Sequence, residues 1–191
     1  MCDVPVLYAT SEGQTRRIAE RIAQRLREDG VDAEAILIDS NEAARIDWDH
    51  IRGVCVGASL HAGRHQTSAV AFARRYKQRL LACPSLFFSV SLAAASKNPS
   101  EVAEAQRIAD GFATLTGWQP QRIACIAGRL AYTQYGWLTR WFMRRIALKE
   151  GESGDTSRDY EYTDWNQVVT LADDLIHDIR RTEHMAIRAT A

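Results

Sequence analysis

Apolar residues along the chain follow two alternating rhythms. Short, largely apolar runs at Val4–Ala9, Ala33–Ile38, Gly53–Ala58, Pro84–Val90 and Arg122–Ala127 read as strands. Between them lie segments with helical spacing. In Gln14–Asp29, Ile18, Ile22 and Leu26 recur every four residues with Ala19 and Ala23 beside them, so one face is apolar, and Gly30 stops the helix. Thr67–Leu81 carries Val70, Phe72 and Tyr76 among basic residues. Ser100–Thr116 reads as a helix with Ser100 as its cap. Asp164–Arg180, opened by Thr163 or Asp164, carries Val168, Leu171, Leu175 and Ile179. Short apolar strands joined by helical crossovers predict a parallel sheet covered on both faces. Right-handed crossovers favour a doubly wound α/β fold with strand order 2-1-3-4-5.

One segment breaks the rhythm. About 35 residues, 128–162, separate the fifth strand from the last helix, more than a plain connection needs. This insertion holds Trp137, Leu138, Trp141, Phe142 and Ile146, interleaved with Arg140, Arg144 and Arg145. From Arg129 to Lys149 there are five basic residues and no acidic one. Such a segment suits an anionic membrane surface, an anionic macrocycle or a quinone; the alternative is a surface helix packed on the domain with solvated arginines. The sequence thus reads as one domain over 1–181 with this insertion, followed by a frayed polar tail, 182–191.

Composition narrows the field. The 191 residues are 46% hydrophobic and 25% charged, with Lys+Arg and Asp+Glu at 24 each, so no global field favours nucleic acid. Cys2, Cys55, Cys83 and Cys125 form no CxxC pair and read as reduced thiols, Cys55 and Cys125 within apolar runs. No signal peptide and no membrane span are expected, which predicts a cytoplasmic protein.

Candidate chemistry lies at the strand ends. Thr10-Ser11-Glu12-Gly13-Gln14-Thr15 joins the first strand to the first helix. A helix start there offers free N–H groups, Thr10, Ser11 and Thr15 add hydroxyls, and Gly13 lets the backbone approach a phosphate. The loop has no lysine and no GxGxxG, which argues against nucleoside triphosphates and dinucleotides and for a mononucleotide. A polar turn with a capping threonine is the plain alternative. Ser59, Leu60, His61, Ala62 and Gly63 leave the third strand, and Ser89, Val90, Ser91 and Leu92 leave the fourth, on the same edge. A flavin ring would lie between these loops. His61 and His65 are spaced like a metal pair but lack a third ligand nearby, so no metal is expected. His61 is a weak candidate for acid/base work; an exposed loop histidine is the plainer reading of either.

These pieces form an ordered set: Leu7-Tyr8-Ala9-Thr10, Gly13-Gln14-Thr15, Gly57-Ala58-Ser59, Phe88-Ser89-Val90, Ala127-Gly128-Arg129-Leu130-Ala131-Tyr132, the insertion with Trp137, and Tyr162-Thr163-Asp164-Trp165. In this the chain resembles the bacterial menaquinone-dependent protoporphyrinogen oxidase family, flavodoxin-like FMN proteins of haem biosynthesis. The resemblance runs from Val6 to about Ile179. It departs at Ala62, where the family often has an aromatic residue, and at Leu92–Ser96, which is less basic. It implies FMN held by Thr10–Thr15 and the two ring loops. It also implies oxidation of protoporphyrinogen IX to protoporphyrin IX, with menaquinone or ubiquinone as acceptor. Arg129, Trp137, Arg140, Trp141, Arg144 and Arg145 would then meet the substrate or the cytoplasmic face of the inner membrane. A flavodoxin-type electron carrier is the alternative; carriers of this fold are often strongly acidic, and this chain is neutral. The intact phosphate loop speaks against a third reading, a structural domain without FMN.

Overall fold

A computed structural model describes residues 2–130 and 160–190 of the chain. Five parallel strands form the sheet: β1 (Val4–Ala9), β2 (Ala33–Leu37), β3 (Val54–His61), β5 (Ser85–Ser91) and β6 (Arg122–Ala127). Their order is β2-β1-β3-β5-β6, with the short strand β4 (Arg64–His65) paired antiparallel to the end of β3. Counting only the five long strands, this is the expected 2-1-3-4-5. The strands are legible as apolar runs because helices cover both faces. Every residue of β1 and β5 is buried.

Two cores lie on either side of the sheet. Helix α1 (Gln14–Glu28) packs Ile18, Ile22 and Leu26 with Val168, Leu175 and Ile179 of the last helix, α5 (Trp165–Thr190), against one face. On the other face α2 (Thr67–Arg75) and α4 (Pro99–Thr116) enclose Phe72, Phe87, Phe112 and Trp118. Phe87 and Phe112 stack at 4.0 Å, with Trp118 edge-on to both. Gly57 has a packing reason of its own. A Cβ there would lie 2.0 Å from Phe88 Cζ, so the glycine makes room for the ring on the neighbouring strand.

Several boundaries differ from the sequence reading, each for a physical reason. The helix expected over Thr67–Leu81 breaks at Tyr76 into α2 and α3 (Lys77–Leu81). Tyr76 leaves helical dihedrals, stacks against Trp48 (5.2 Å) and lies tilted against Phe72 (4.6 Å). Ser100 is not the cap of α4. Pro99 occupies the first turn, where no N–H is needed, and Asn98 accepts from Ser100 N at 3.0 Å. The tail beyond Arg181 does not fray at once but stays helical to Thr190. No glycine or proline interrupts residues 165–190, and Arg52 Nε donates to Glu183 Oε1 at 2.6 Å. The third strand runs on to His61 and turns back as a hairpin, rather than opening into a loop.

Candidate functional site

The C-terminal ends of the adjacent strands β1, β3 and β5 converge on one edge of the sheet. This edge is where doubly wound sheets bind ligands. Each strand end carries one of the segments singled out from the sequence.

At the end of β1, Gly13 stands at φ 86°, a left-handed conformation that glycine adopts without strain, immediately before the first turn of α1. Gly13 N donates to Thr10 Oγ1 at 2.9 Å, closing the loop on itself. Thr10 then keeps its own hydroxyl proton for another acceptor. The first turn of α1 carries no acidic residue of its own. Thr15 is 1% exposed, and its Oγ1 has no hydrogen-bond partner among the described residues. A buried hydroxyl left unpaired costs stability, and a phosphate oxygen would satisfy it. Ser59 repeats the pattern at the end of β3: 7% exposed, with its Oγ unpaired among the described residues. By strand alternation Ser59 follows Cys55 and Gly57 onto the α1 face. These two orphan hydroxyls and the Gly13 turn fit a phosphorylated, polar-edged ligand such as a flavin mononucleotide.

Beyond Ser59 the chain makes a tight hairpin. Leu60 pairs with His65 and His61 with Arg64, and the turn residues Ala62 and Gly63 have φ of 48° and 75°. Two successive positive φ values match the twist of the flanking strands. Ala62 is thus a turn residue presented at the hairpin tip. His61 remains exposed, with Nδ1 3.8 Å from Glu12 Oε1 of the Thr10–Thr15 loop. His65 corrects the reading of it as an exposed loop residue. It is buried between the ring edges of Phe87 and Phe112 (5.3 and 5.2 Å), with Nε2 2.9 Å from Ser89 Oγ. Burial pushes its imidazole down to about 4, so it is neutral at pH 7. Its partner Ser89, with Val90 and Ser91, forms the buried end of β5, and Ser91 Oγ accepts from Ala94 N just beyond Leu92. His61 and His65 therefore face different surroundings, and no group of three or more potential ligands is placed to hold a metal among the described residues.

Sequence reasoning missed Gln66. Its Nε2 donates to Ser11 Oγ at 2.9 Å and links the Thr10–Thr15 loop to the hairpin. The two residues are 55 apart, so no local pattern announces the contact. An open cleft of about 640 Å³ lies here, lined by Thr10, Ser11, Asp39, His61, Arg64 and Gln66 among others. Gln14, expected among the cofactor contacts, turns its side chain away to Thr163 Oγ1 (2.8 Å) and Glu161 Oε1 (3.0 Å). Of the expected substrate or membrane residues, Arg129 lies in β7 (Arg129–Leu130), paired antiparallel with β8 (Tyr160–Glu161). Trp137, Arg140, Trp141, Arg144 and Arg145 lie outside the described residues. No helix among the described residues is long and apolar enough to cross a membrane. The four cysteines are free, and burial holds the thiols of Cys83 and Cys125 up at about 11 and that of Cys55 higher still. Cys55 is fully buried as expected, but Cys125 is only partly so.

Comparison with known proteins agrees with this fold. The family model described as flavodoxin domain matches residues 5–158. A relative from Escherichia coli K12, named protoporphyrinogen IX dehydrogenase (quinone), is 33% identical over 172 residues, covering 90% of this chain and 93% of that protein. One of the same name from Leishmania major is 30% identical over 171 residues, covering 88% of this chain and 72% of that protein. Among solved structures, oxidised flavodoxin 1 from Bacillus cereus superposes with a TM-score of 0.52 at 16% identity, covering 91% of this chain and 97% of that one. A flavodoxin from Streptococcus pneumoniae gives 0.51 at 12% identity, covering 94% and 98%. At these identities the two structures speak for the fold alone.

Proposed function

The chain belongs to the flavodoxin domain family and, within it, to the protoporphyrinogen IX dehydrogenases; from that premise we propose that it is an FMN-dependent oxidoreductase that converts protoporphyrinogen IX to protoporphyrin IX and passes the electrons to a membrane quinone. The observation that carries the cofactor is the pair of unpaired buried hydroxyls, Thr15 Oγ1 in the first turn of α1 and Ser59 Oγ toward the end of β3. The named relatives support the substrate and the acceptor.

Bound FMN would supply the electron-transfer chemistry. The protein's part is to bind and orient. Thr10, Ser11 and Thr15, with the N–H groups of the first turn of α1, would hold the phosphate. The hairpin at Ser59–Gly63 and the β5 end at Ser89–Leu92 would flank the ring, their backbone groups facing its polar edge. Glu12 is turned to His61 rather than to the phosphate position, which lowers charge repulsion there. The insertion, with Arg129, Trp137, Arg140, Trp141, Arg144 and Arg145, would meet the anionic arms of the macrocycle or the cytoplasmic face of the inner membrane, where the quinone resides.

Steady-state turnover tests the reading. Flavin-loaded protein should form porphyrin from protoporphyrinogen IX faster when menaquinone is added. Flavin-loaded protein inert toward protoporphyrinogen would favour the carrier alternative.

A further inference from the structure

The insertion leaves the domain and returns to it through β7 and β8. These strands do not stand apart from the flavin edge; they are bonded to both sides of it. On the ring side, Gly128 N donates to Ser91 O at 3.0 Å, and Tyr162 N donates to Gly128 O at 3.1 Å. Thr163 Oγ1 donates to Ala127 O at 2.7 Å, at the end of β6. On the phosphate side, Gln14 Nε2 donates to both Thr163 Oγ1 and Glu161 Oε1. Arg17 Nη1 closes the set, reaching Gln14 Oε1 at 3.1 Å and Glu161 Oε2 at 3.0 Å, while its guanidinium lies 5.4 Å from the Trp165 ring centre. Burial alone would raise the Glu161 carboxyl, but Gln14 and Arg17 hold it below the usual carboxylate value, so it is charged at pH 7.

Gln14 is the centre of this arrangement. It is the first residue of α1 and only 6% exposed, yet its amide is satisfied at both ends. Both N–H groups of that amide are committed, so neither is left to donate to a ligand on the loop's inner side. The side chain fixes the first turn of α1 from behind, through Glu161 of β8; the next residue, Tyr162, bonds Gly128, which in turn bonds Ser91 at the β5 end. We infer that Gln14 and Glu161 are positioning residues: the β7–β8 stem braces the phosphate loop against the ring loop, so that Glu161, which touches no cofactor atom, sets how tightly FMN is held. Without Glu161, the buried Gln14 amide loses an acceptor and Arg17 loses its counter-ion. The first turn then relaxes to recover partners, and ordering it again on binding weakens affinity.

This inference rests on the proposed FMN site, and the test separates the two. FMN affinity is measured by quenching of flavin fluorescence on titrating apoprotein, for wild type, Glu161→Ala, Gln14→Ala, the double variant and Glu161→Gln. Thermal stability of each apoprotein is recorded alongside. Each alanine variant should weaken FMN binding by about tenfold, as expected for a buried amide left short of a partner. The double variant should be scarcely weaker than either alone, because both substitutions cut the same brace. Glu161→Gln keeps a carbonyl acceptor for Gln14 and should bind FMN within a few-fold of wild type. Unchanged affinity in Glu161→Ala, with or without a loss of melting temperature, overturns the brace while leaving the flavin site intact. So does a double variant whose loss is the product of the two single losses. A wild-type apoprotein that takes up no FMN contradicts the proposed function, and this inference with it.

Discussion

His65 Nε2 lies 2.9 Å from Ser89 Oγ, and this buried contact fastens the β3–β4 hairpin to the end of β5. The imidazole is held near pKa 4 by burial, against an ordinary value of 6.5. The folded state therefore resists the proton that the unfolded chain accepts. Above pH 6.5 both states are neutral and the group contributes no pH dependence. As pH falls from 6.5 toward 4, the unfolded state gains the proton first and stability drops, by up to about 3 kcal/mol. Urea titrations across this window should show the drop in wild type and a smaller one in His65→Gln, which keeps a partner for Ser89 and does not titrate. An equal pH dependence in both would remove His65 as the cause.

Thr15→Val separates binding from folding. The valine deletes a buried hydroxyl that has no partner among the described residues, so the apoprotein should melt at the same temperature or higher. FMN affinity should fall by about tenfold, the value of one hydrogen bond to a charged group. Calorimetric titration with FMN checks this, and unaltered affinity would place the phosphate elsewhere.

Gly57→Ala should destabilise the fold by about 2–3 kcal/mol, because the new methyl meets the Phe88 ring at distances no side chain tolerates. Phe88→Leu in the same background should recover part of the loss. A chemical denaturation series on the two variants tests the packing argument independently of any ligand.

If the insertion touches the inner membrane, replacing Arg140, Arg144 and Arg145 by Glu should weaken binding to vesicles containing anionic lipid, most strongly at low salt. Co-sedimentation measures it. Equal binding before and after the change would leave the insertion with a role in substrate contact or in packing.

The strands were legible because those buried on both faces are rich in apolar residues, as in the Phe and Val positions of β5 and β3, and right-handed crossovers then order the sheet. The turn from Thr10 to Thr15 was legible as a candidate loop because it is local: Thr10, Gly13 and Thr15 lie within one turn and one helix start. What escaped notice depends on distant partners. His65 sits between polar Arg64 and Gln66, and only the arrival of Phe112 and Ser89 makes it a core residue. Gln14 was read as part of the binding loop, yet its side chain is committed to residues 147 and 149 positions away. The break at Tyr76 reflects an aromatic stack with Trp48 that helical periodicity alone does not reveal.

The proposed function requires that a flavin held at the ends of β1, β3 and β5 take electrons from protoporphyrinogen. The most direct measurement mixes flavin-loaded protein anaerobically with protoporphyrinogen IX and follows the visible flavin band, then adds menaquinone. Loss of the band as porphyrin fluorescence rises, and its return on adding the quinone, is the predicted result. A flavin band that protoporphyrinogen leaves unchanged would contradict it.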